Sequence, residues 1–422
     1  MMKIVHFADL HLGVETYGNI NSASGSSSRL DDYLKSFDRL VDYVLREKVD
    51  LVLFCGDAYK SRSPSQTQQR EFARRIKILS DNGISVFLLA GNHDMPNASE
   101  RAMTIEIYET LAIPHVTVAQ KPQLFTLSTP SDDIQIVALP WLRRSMMISR
   151  DEVRGLDTSQ LNAHISQTLT AIVDKLSSAL DPTKPAILAA HVWVQGAITG
   201  SEGNMNIGNE HTLLVSSIAK PCFDYVALGH IHRHQVLNAI PPVVYSGSLD
   251  SLDFGDEHDC KGFYCIDIDT SQPKRQTKYS FQPVPSRSFK KLSVQVQSDD
   301  TAPTESILAV LLHSAAELGQ NIVRLELSYP EECIGRIDEV RIRQFVLDEL
   351  QASYFDILRH VSRQSRPRLE GMAVEALAPE QAFETYIRLR RDDYTADTLS
   401  KLEKLGKSII QEADEKNSEL VL

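Results

Sequence analysis

Short apolar runs recur along residues 1–265, and most of them stop abruptly at a glycine or a polar residue. Runs of this length are typical of strands buried in a sheet. They predict strands at 3–8, 51–55, 85–90, 134–140, 185–191, 224–230 and 242–247. Apolar residues at three- and four-residue spacing predict helices between the early strands, at 34–47 and 68–79. This alternation predicts an α/β layered domain.

A stretch with two prolines, residues 281–288, predicts the end of this first domain. Beyond it, alternating apolar residues begin a second pattern at Leu292, Val294 and Val296. The pattern continues as helices at 304–318 and 336–351 and strands at 321–328 and 354–361. We therefore predict three parts, which are residues 1–280, a small α+β module at 286–368 and a C-terminal helical pair at 375–422.

The C-terminal segment carries two apolar stripes at helical spacing, which are formed by Phe383, Tyr386 and Ile387 and by Leu399, Leu402, Leu405 and Ile409. Two short amphipathic helices seldom make a core by themselves. Either they fold back on their own domain or they bind a partner, and the pattern alone leaves both possibilities open.

Composition and charge indicate where in the cell the chain is located and how it can bind nucleic acid. The formal charge of −12, from 44 basic and 56 acidic residues, argues against non-specific nucleic-acid binding by the whole surface. No apolar run approaches the length of a membrane span, and the first residues do not resemble a signal peptide. The five cysteines are odd in number and lack CxxC spacing. These features predict a reducing, cytoplasmic location without membrane association.

Side chains that can bind metal ions follow five of the predicted strands, and they are Asp9, His11, Asp57, Asn92, His93, Asp94, His191, His230 and His232. The carboxyl ends of strands are where open α/β sheets place their ligands. In an extended segment, residues two apart point to the same side, so Asp9 with His11 and His230 with His232 can converge. Scattered, satisfied polar residues are the alternative interpretation, and the repetition after successive strands argues against it.

The mixture of carboxylate, carboxamide and imidazole suits ions such as Mn²⁺, Fe²⁺ or Zn²⁺ better than Mg²⁺. Even without His93 and Asp94, the seven remaining candidate ligands are too many for one catalytic ion that must keep an open position. They suit two ions bridged by a carboxylate, for which Asp57, alone at its strand end, is the best candidate. Glycines at positions 56, 91 and 229 would let the backbone pass close to the ions.

The motifs D-x-H, G-D, G-N-H-D, H and G-H-x-H, in this order, resemble the calcineurin-like metallophosphoesterase superfamily. The resemblance implies a two-layer β-sandwich flanked by helices, with two divalent metal ions above it. Within the superfamily, "KIVHFADLHLG", "LLAGNHD" and "DYVALGHIHRHQ" are similar to SbcD-type DNA repair exonuclease subunits. In those subunits a small capping module follows the phosphoesterase domain, and two C-terminal helices bind the coiled-coil base of an SbcC-type ATPase.

The resemblance also implies a role for each motif residue. One ion would be held by Asp9, His11, Asp57 and His232, and the other by Asp57, Asn92, His191 and His230. His93 would face the scissile phosphate as a proton donor or charge stabiliser, with Asp94 orienting it. Lys60 occupies a position where relatives often have histidine, and it either neutralises developing charge or is only solvent-exposed.

The implied function is a metal-dependent DNA nuclease, most simply Mn²⁺-dependent with Mg²⁺ or Fe²⁺ as alternatives. It would act as an exonuclease on double-stranded ends and as an endonuclease on single strands or hairpins. The expected partners are DNA, two SbcC-type ATPase subunits and a second copy of the chain, which would dimerise through segments near 66–80 and 98–112. The alternatives are a phosphodiesterase or phosphatase for small molecules or phosphoproteins, and a scaffold without catalysis. The intact ligand set argues against a scaffold.

Local clusters of basic residues could hold DNA despite the acidic total. One lies on a predicted helix (Arg70, Arg74, Arg75 and Lys77), one follows the "LPW" segment (Arg143 and Arg144), and one lies in the capping module (Arg359, Arg363, Arg366 and Arg368). For the first cluster we favour an ordinary solvated helix face.

Overall fold

The computed structural model describes residues 1–20, 25–96, 101–147, 156–200, 212–271, 275–362, 379–391 and 394–419. The chain forms two compact units, Met1–Val361 and Ser362–Leu422. Arg363, Arg366 and Arg368 of the third basic cluster lie outside the described residues.

Two six-stranded sheets form the body of the first unit. Its strands up to residue 283 are β1 (Met2–Phe7), β2 (Leu51–Phe54), β3 (Ser85–Leu89), β4 (Val116–Ala119), β5 (Gln123–Ser128), β6 (Asp133–Leu139), β7 (Ala186–His191), β8 (Trp193–Val194), β9 (Thr212–Leu213), β10 (Tyr225–Gly229), β11 (Gln235–Ala239), β12 (Pro242–Tyr245), β13 (Gly262–Asp269) and β14 (Gln276–Pro283). The helices in the same region are α1 (Ser28–Glu47), α2 (Gln66–Asp81), α3 (Glu106–Thr110), α4 (Arg144–Met147), α5 (Thr158–Ser177) and α6 (Val215–Ile218).

The strand order is β14-β13-β1-β2-β3-β4 in one sheet and β11-β12-β10-β7-β6-β5 in the other. Strands β1 to β4 run parallel, as do β6, β7, β10 and β12. Antiparallel strands flank the parallel strands in each sheet. Parallel strands bring their carboxyl ends to one edge, which is the edge that carries the predicted ligands.

The two sheets pack face to face over a shared apolar layer. Alternate residues of the strands point into it, including Ile4 and Leu53 from one sheet and Ile136 and Ile187 from the other. On the outer face of the first sheet, aromatic residues pack against α1 and α2. On the outer face of the second sheet, α5 covers the strands with its apolar stripe. The prediction of an α/β two-layer β-sandwich flanked by helices is confirmed.

Several strands were not predicted from the sequence, namely β4, β5, β11, β13, β14 and the two-residue strands β8 and β9. Three of them, β5, β11 and β14, are half-exposed strands at sheet edges, so their apolar residues alternate only weakly with polar ones. Helix α1 begins six residues before the predicted 34, because Ser27 caps it through a hydrogen bond from the backbone amide of Arg29.

The α+β module that follows contains the sheet β15-β16-β17, made of Phe289–Gln295, Ile322–Pro330 and Tyr354–Ser362. Its helices are α7 (Pro303–His313), α8 (Ala315–Leu318) and α9 (Glu339–Gln344), and α9 continues as a π-helical turn at Phe345–Glu349. The helices cover the sheet over an apolar core of their own. A smaller aromatic cluster joins this module to the body formed by the two six-stranded sheets, where Tyr17 and Phe254 pack on Phe289 of the module.

The second unit contains α10 (Pro379–Leu389) and α11 (Ala396–Glu419). The two helices pack closely where Phe383 lies against Gly406, and Lys407 pairs with Glu384. Tyr386, Leu405 and Ile409 nevertheless remain at least half exposed. Across the described ranges, the helices are all too short or too polar to cross a membrane.

Candidate metal centre

Five loops from both sheets meet at one edge of the sandwich. Asp9 and His11 follow β1, Asp57 follows β2, and Asn92 follows β3. The second sheet supplies the remaining imidazoles, with His191 ending β7 and His230 and His232 following β10. Residues more than 220 positions apart thereby come into contact, since the backbone amide of His230 donates to both carboxylate oxygens of Asp9 at 3.1 and 2.9 Å.

The backbone at this edge is strained. Asp9, His11, Asp57 and His230 have φ angles of 52°, 47°, 63° and 105°, in a region that side-chain-bearing residues seldom adopt. Hydrogen bonds between the loops hold it there, from the amide of Asp9 to Gly56 at 2.9 Å and from the amide of His11 to Asp57 at 3.0 Å. Such strain collects at functional sites, where it points side chains that an ordinary turn would leave apart.

One group of donor atoms surrounds His11. Its Nε2 lies 3.1 Å from Nε2 of His232, 3.6 Å from Oδ2 of Asp57 and 4.0 Å from Oδ1 of Asp9. The ligand atoms of Asp9, His11 and His232 all lie within 4.8 Å of one another. The other three side chains of the first predicted ligand set, which are Asp9, Asp57 and His232, therefore converge on His11.

A second group surrounds Oδ1 of Asn92. Nε2 of His191 lies 2.9 Å from it, and Nδ1 of His230 lies 3.1 Å from it. Nε2 of His191 is also 3.5 Å from Oδ2 of Asp57. The same Asp57 oxygen therefore lies next to a histidine of each group, as a bridging carboxylate would.

These spacings fit divalent metal ions. Two donor atoms bound at about 2.1 Å, at right angles on one ion, lie about 3 Å apart. The contacts between His11 and His232 and between Asn92 and its two histidines have this spacing. The largely buried mixture of carboxylate, amide and imidazole donors is suited to divalent ions, and the expectation of divalent metal binding is supported at that level.

Burial and neighbouring charges shift the pKa values of the groups at this centre in opposite directions. Burial alone would lower the pKa of His191, but the carboxylates of Asp57 and Asp9 raise it to about 9. Burial also acts to raise the pKa of Asp57, yet His191, His93 and His11 together hold that pKa well below its usual range. Burial lowers the pKa of His11 to about 3, which keeps it in the neutral form that binds metals.

Hydrogen bonds around the ligands fix their orientation. Nδ1 of His191 donates to the carbonyl of Cys55 at 2.7 Å, which leaves Nε2 facing Asn92 and Asp57. Lys261 is fully buried and donates to the carbonyl of His232 at 3.0 Å, while Asp256 balances its charge at 2.9 Å. Sequence reasoning missed Lys261, because a single lysine outside any motif carries no local signal.

Asp94 organises the loops after β2 and β3. Its buried carboxylate accepts hydrogen bonds from the backbone amides of Asp57 at 2.8 Å, Gly91 at 2.9 Å and Ala58 at 3.1 Å. Burial and the nearby Asp57 carboxylate raise the pKa of Asp94 to about 6. Asp94 therefore contacts the backbone of the loop that carries Asp57. Any influence of Asp94 on the orientation of His93 would be transmitted through the backbone.

His93 lies at the rim of the centre, half-buried. Its amide donates to Oδ1 of Asp57 at 2.8 Å, and its Nδ1 lies 2.8 Å from the carbonyl of Lys60. The imidazole packs edge-on against that of His11, with ring centroids 4.9 Å apart. Lys60 thus contacts His93 through its backbone, while its side chain is only partly buried.

Two glycines allow the close approach of these loops. A Cβ atom at Gly91 would lie 2.2 Å from Oδ1 of Asp57, and one at Gly56 would lie 2.4 Å from Nδ1 of His191. Real Cβ atoms do not approach other atoms so closely, so both positions require glycine.

The family model for the calcineurin-like phosphoesterases matches residues 2–234, which is more than half of the chain. The chain belongs to that family. The strand-end motifs predicted this membership, and the matched segment contains every residue of the two donor groups.

Curated SbcD proteins, named for the nuclease SbcCD, are similar over most of the chain. The protein of Staphylococcus epidermidis is 27% identical over 67% of this chain and 70% of its own, and that of Rhodobacter capsulatus is 27% identical over 74% and 75%. The Escherichia coli K12 protein is 25% identical over 60% and 62%. A solved dimetal phosphatase from Danio rerio aligns with 68% of this chain and 97% of its own, with 10% identity and a TM-score of 0.39.

The predicted similarity to SbcD-type subunits is confirmed by these relatives, and so is the prediction of a hydrolase acting on phosphodiester bonds. The matched segments cover between 62 and 75% of the length of these three relatives.

Both tryptophans of this phosphoesterase lie beside the metal centre. The Trp141 ring lies over His230, with centroids 5.1 Å apart and planes tilted by 31°. The Trp193 ring meets the same imidazole more nearly edge-on, at 5.8 Å and 65°. Sequence reasoning assigned neither residue to the site, since nothing in a local pattern connects two tryptophans 52 positions apart with His230.

The predicted basic cluster of α2 is largely neutralised. Arg70 and Arg74 pair with Glu71 at 2.9 and 3.2 Å, while Arg75 is buried against Asp38 and Lys77 pairs with Asp81. This agrees with the interpretation as an ordinary helix face. In the capping module Arg359 pairs with Glu339. Arg143 and Arg144 follow Trp141 at the edge that carries the metal centre.

Proposed function

We propose that this protein is a metal-dependent DNA nuclease and the nuclease subunit of an SbcCD-like complex that repairs double-strand breaks. It would digest double-stranded ends as an exonuclease and cut single strands or hairpins as an endonuclease. The observation that carries the proposal is the convergence of five loops on two linked donor groups, together with relatives named for the SbcCD nuclease.

Two ions, with Mn²⁺ as the first candidate, would be held by the ligand sets predicted from the motifs. Asp9, His11 and His232 would hold one, Asn92, His191 and His230 the other, and Asp57 would be shared. When bound, such ions activate water and stabilise charge on the phosphodiester oxygens. The buried ligands exclude bulk water from one side of this centre, so the opposite side would receive the substrate.

His93 would assist departure of the leaving oxygen. The Lys60 carbonyl fixes Nδ1 as a donor, so the imidazolium form of His93 would carry its second proton on Nε2 and could give that proton to the leaving oxygen. Asp94 would act only as a positioning residue, because it holds the backbone from which Asp57 and His93 project. Lys60, Arg62, Arg143 and Arg144 are cations in the two loops beside the centre, where they could contact DNA phosphates.

Two substitutions test this assignment. We expect Asn92→Ala to weaken Mn²⁺ binding, and His93→Ala to retain Mn²⁺ but slow cleavage of linear duplex DNA by about 10²- to 10⁴-fold, the usual contribution of a general acid. Cleavage would be followed with end-labelled duplex DNA, with and without chelator, and bound Mn²⁺ by electron paramagnetic resonance. Bis-p-nitrophenyl phosphate would report activity that does not depend on DNA.

His313→Ala is the matched control, since His313 is exposed at the end of α7 in the capping module. Full activity of His93→Ala would remove its role in the reaction. Hydrolysis of the small ester without any cleavage of DNA by the wild-type protein would instead favour a small-molecule phosphodiesterase.

The C-terminal helical pair would bind the ATPase partner, and the homodimer would form through the segments near 66–80 and 98–112. Leu405 and Ile409 support the first part, because they lie four residues apart on one face of α11 and are 60% and 58% exposed. Ile107 and Leu111, at 50% and 64% exposure, support the second. Exposed apolar groups of this size are favourable sites for protein association.

Charges on the α11 face should prevent complex formation. We expect Leu405→Asp with Ile409→Asp to abolish co-purification with an SbcC-type ATPase from the same genome, while Mn²⁺-dependent hydrolysis of bis-p-nitrophenyl phosphate is retained. Leu312→Asp, at an equally exposed leucine of α7, is the control. Unchanged co-purification of the double variant would place the ATPase elsewhere.

A further inference from the structure

We propose that Trp141 is the stacking surface for a nucleobase next to the scissile phosphate, and that it makes the enzyme prefer nucleotide esters over other phosphodiesters. This inference rests on the proposed nuclease function and names the group that the site recognises beyond phosphate.

The position of Trp141 is the first observation. Its backbone amide donates to the carbonyl of Ala90 at 3.0 Å, which places the residue beside the loop that carries Asn92. Its ring lies 5.1 Å from that of His230 and 6.3 Å from that of His191. A phosphodiester bound at the centre would therefore have the indole within the length of one nucleotide.

The second observation is that Trp141 lies outside the apolar clusters of the described residues, in contrast with Trp193. Trp193 packs against the apolar cluster under the second sheet, together with α5. Among the residues that the structure describes, Trp141 belongs to none of the apolar clusters and remains partly exposed. An indole held at a site rim by a backbone bond, with one face against His230, has its remaining surface available to a ligand.

The third observation is that two positively charged residues follow Trp141 in the chain. Arg143 and Arg144 come two and three residues later, at the start of α4. An aromatic face next to guanidinium groups is the combination by which single nucleic-acid strands are held, because bases stack on the ring while phosphates meet the cations. A small phosphodiester without a base could use the cations but not the ring.

A pair of synthetic esters isolates the base. Thymidine 5′-(p-nitrophenyl phosphate) would be compared with the same ester in which hydrogen replaces thymine, and the 3′ isomers would be measured as a second pair. Both esters of a pair release p-nitrophenolate, so only the base differs. We expect the wild-type enzyme to hydrolyse the thymidine ester of at least one pair with a kcat/KM about 10- to 100-fold higher, the usual gain from one stacked base.

The variants Trp141→Ala and Trp193→Ala then divide the roles. We expect Trp141→Ala to bring the base preference to within about two-fold, mainly by raising KM for the thymidine ester, with little change for the ester without a base. Trp193→Ala should keep the preference. Mn²⁺ binding by electron paramagnetic resonance should be unchanged in Trp141→Ala, because no ligand is removed.

Three outcomes would overturn the inference. These are a wild-type enzyme without base preference in either pair, a Trp141→Ala variant that keeps the preference, and a variant that slows both esters equally, which would make Trp141 only a support for His230. Failure of the nuclease proposal is a separate result, since it would appear as wild-type hydrolysis of these esters without cleavage of linear DNA.

Discussion

Two histidines near the start of the chain differ in their surroundings, although both are buried. His11 lies among carboxylates and imidazoles at the metal centre. His6 lies inside the sandwich, with Nδ1 3.2 Å from the hydroxyl of Tyr225. Burial lowers the pKa of His6 to about 3, despite an opposing backbone hydrogen bond. His6 is therefore a neutral part of the core, and it should make the stability of the fold depend on pH.

The sign follows from proton uptake. Below about pH 6.5 the unfolded chain protonates His6 while the folded chain does not, so stability is lost as the pH falls from 6.5 towards 3. The loss at pH 5 should be about 2 kcal/mol. We expect the free energy of unfolding of His6→Gln to fall by about that much less between pH 7 and pH 5 than in the wild type, as measured by urea denaturation.

His313→Ala serves again as the control, since it removes an exposed histidine from the surface of the α+β module. If His6→Gln lost stability in parallel with the wild type, His6 would not be the group responsible.

At the scale of elements, the loops after β2 and β3 act as one unit. The Asp94 carboxylate joins the amides of both loops, and Gly91 lets them pass at a distance that excludes a side chain. The strained backbone of Asp57 is stabilised by these contacts. The geometry of the centre thus depends on Asp94 and Gly91, which lie outside the predicted ligand sets.

A methyl group at position 91 should disturb that geometry. We expect Gly91→Ala to weaken Mn²⁺ binding by about 10- to 100-fold, as is typical when the support of a ligand is lost, because its Cβ would displace the Asp57 carboxylate. Electron paramagnetic resonance titration would measure the affinity. Gly83→Ala, in open space at a φ of 73°, should lower stability by about 1–2 kcal/mol without changing that affinity. Equal affinity for Mn²⁺ in Gly91→Ala and the wild type would contradict this account.

At the scale of the whole molecule, a polar seam joins the capping module to the phosphoesterase body. The Arg287 guanidinium makes two hydrogen bonds to Asp32, at 2.8 and 2.9 Å. Asp32 also accepts from Arg29 at 2.9 Å, and Arg29 is almost completely buried. Beside them lies the aromatic cluster around Phe289. The module is therefore fastened to the body rather than suspended by a linker.

Removing the guanidinium should weaken this seam. We expect Arg287→Ala to lower the free energy of unfolding by about 1–3 kcal/mol, because Asp32 loses its paired bond in a mostly buried place. The control Arg341→Ala breaks an exposed pair with Glu305 and should change stability by less than about 0.5 kcal/mol. Urea denaturation would measure the free energy of unfolding of both variants. If Arg287→Ala lowered it no more than Arg341→Ala does, the aromatic cluster alone would hold the module.

The chain by itself determined the layered class of the fold, and it predicted which side chains come together at one edge of the sheets. Most buried strands can be recognised locally, because each needs an apolar run and the polar residue that ends the run is visible beside it. Strand β13 is an exception, since it is buried and was not predicted. Edge strands such as β5 and β14 were not predicted, since they are half exposed and their apolar and polar residues alternate only weakly. The positions of Trp141, Trp193 and Lys261 beside the centre were not predicted either. Their contacts join segments that are far apart in the chain, and no periodic pattern in the sequence connects them.

Only the tertiary structure decided which donor atoms approach one another, and it did so through the packing of two sheets. A local pattern specifies a strand end, but the distance between two strand ends depends on the sandwich that aligns them and on the hydrogen bonds that hold left-handed residues such as Asp9 and Asp57 in place. The energies that set these distances come from contacts between residues far apart in the chain, and such energies are a property of the folded whole.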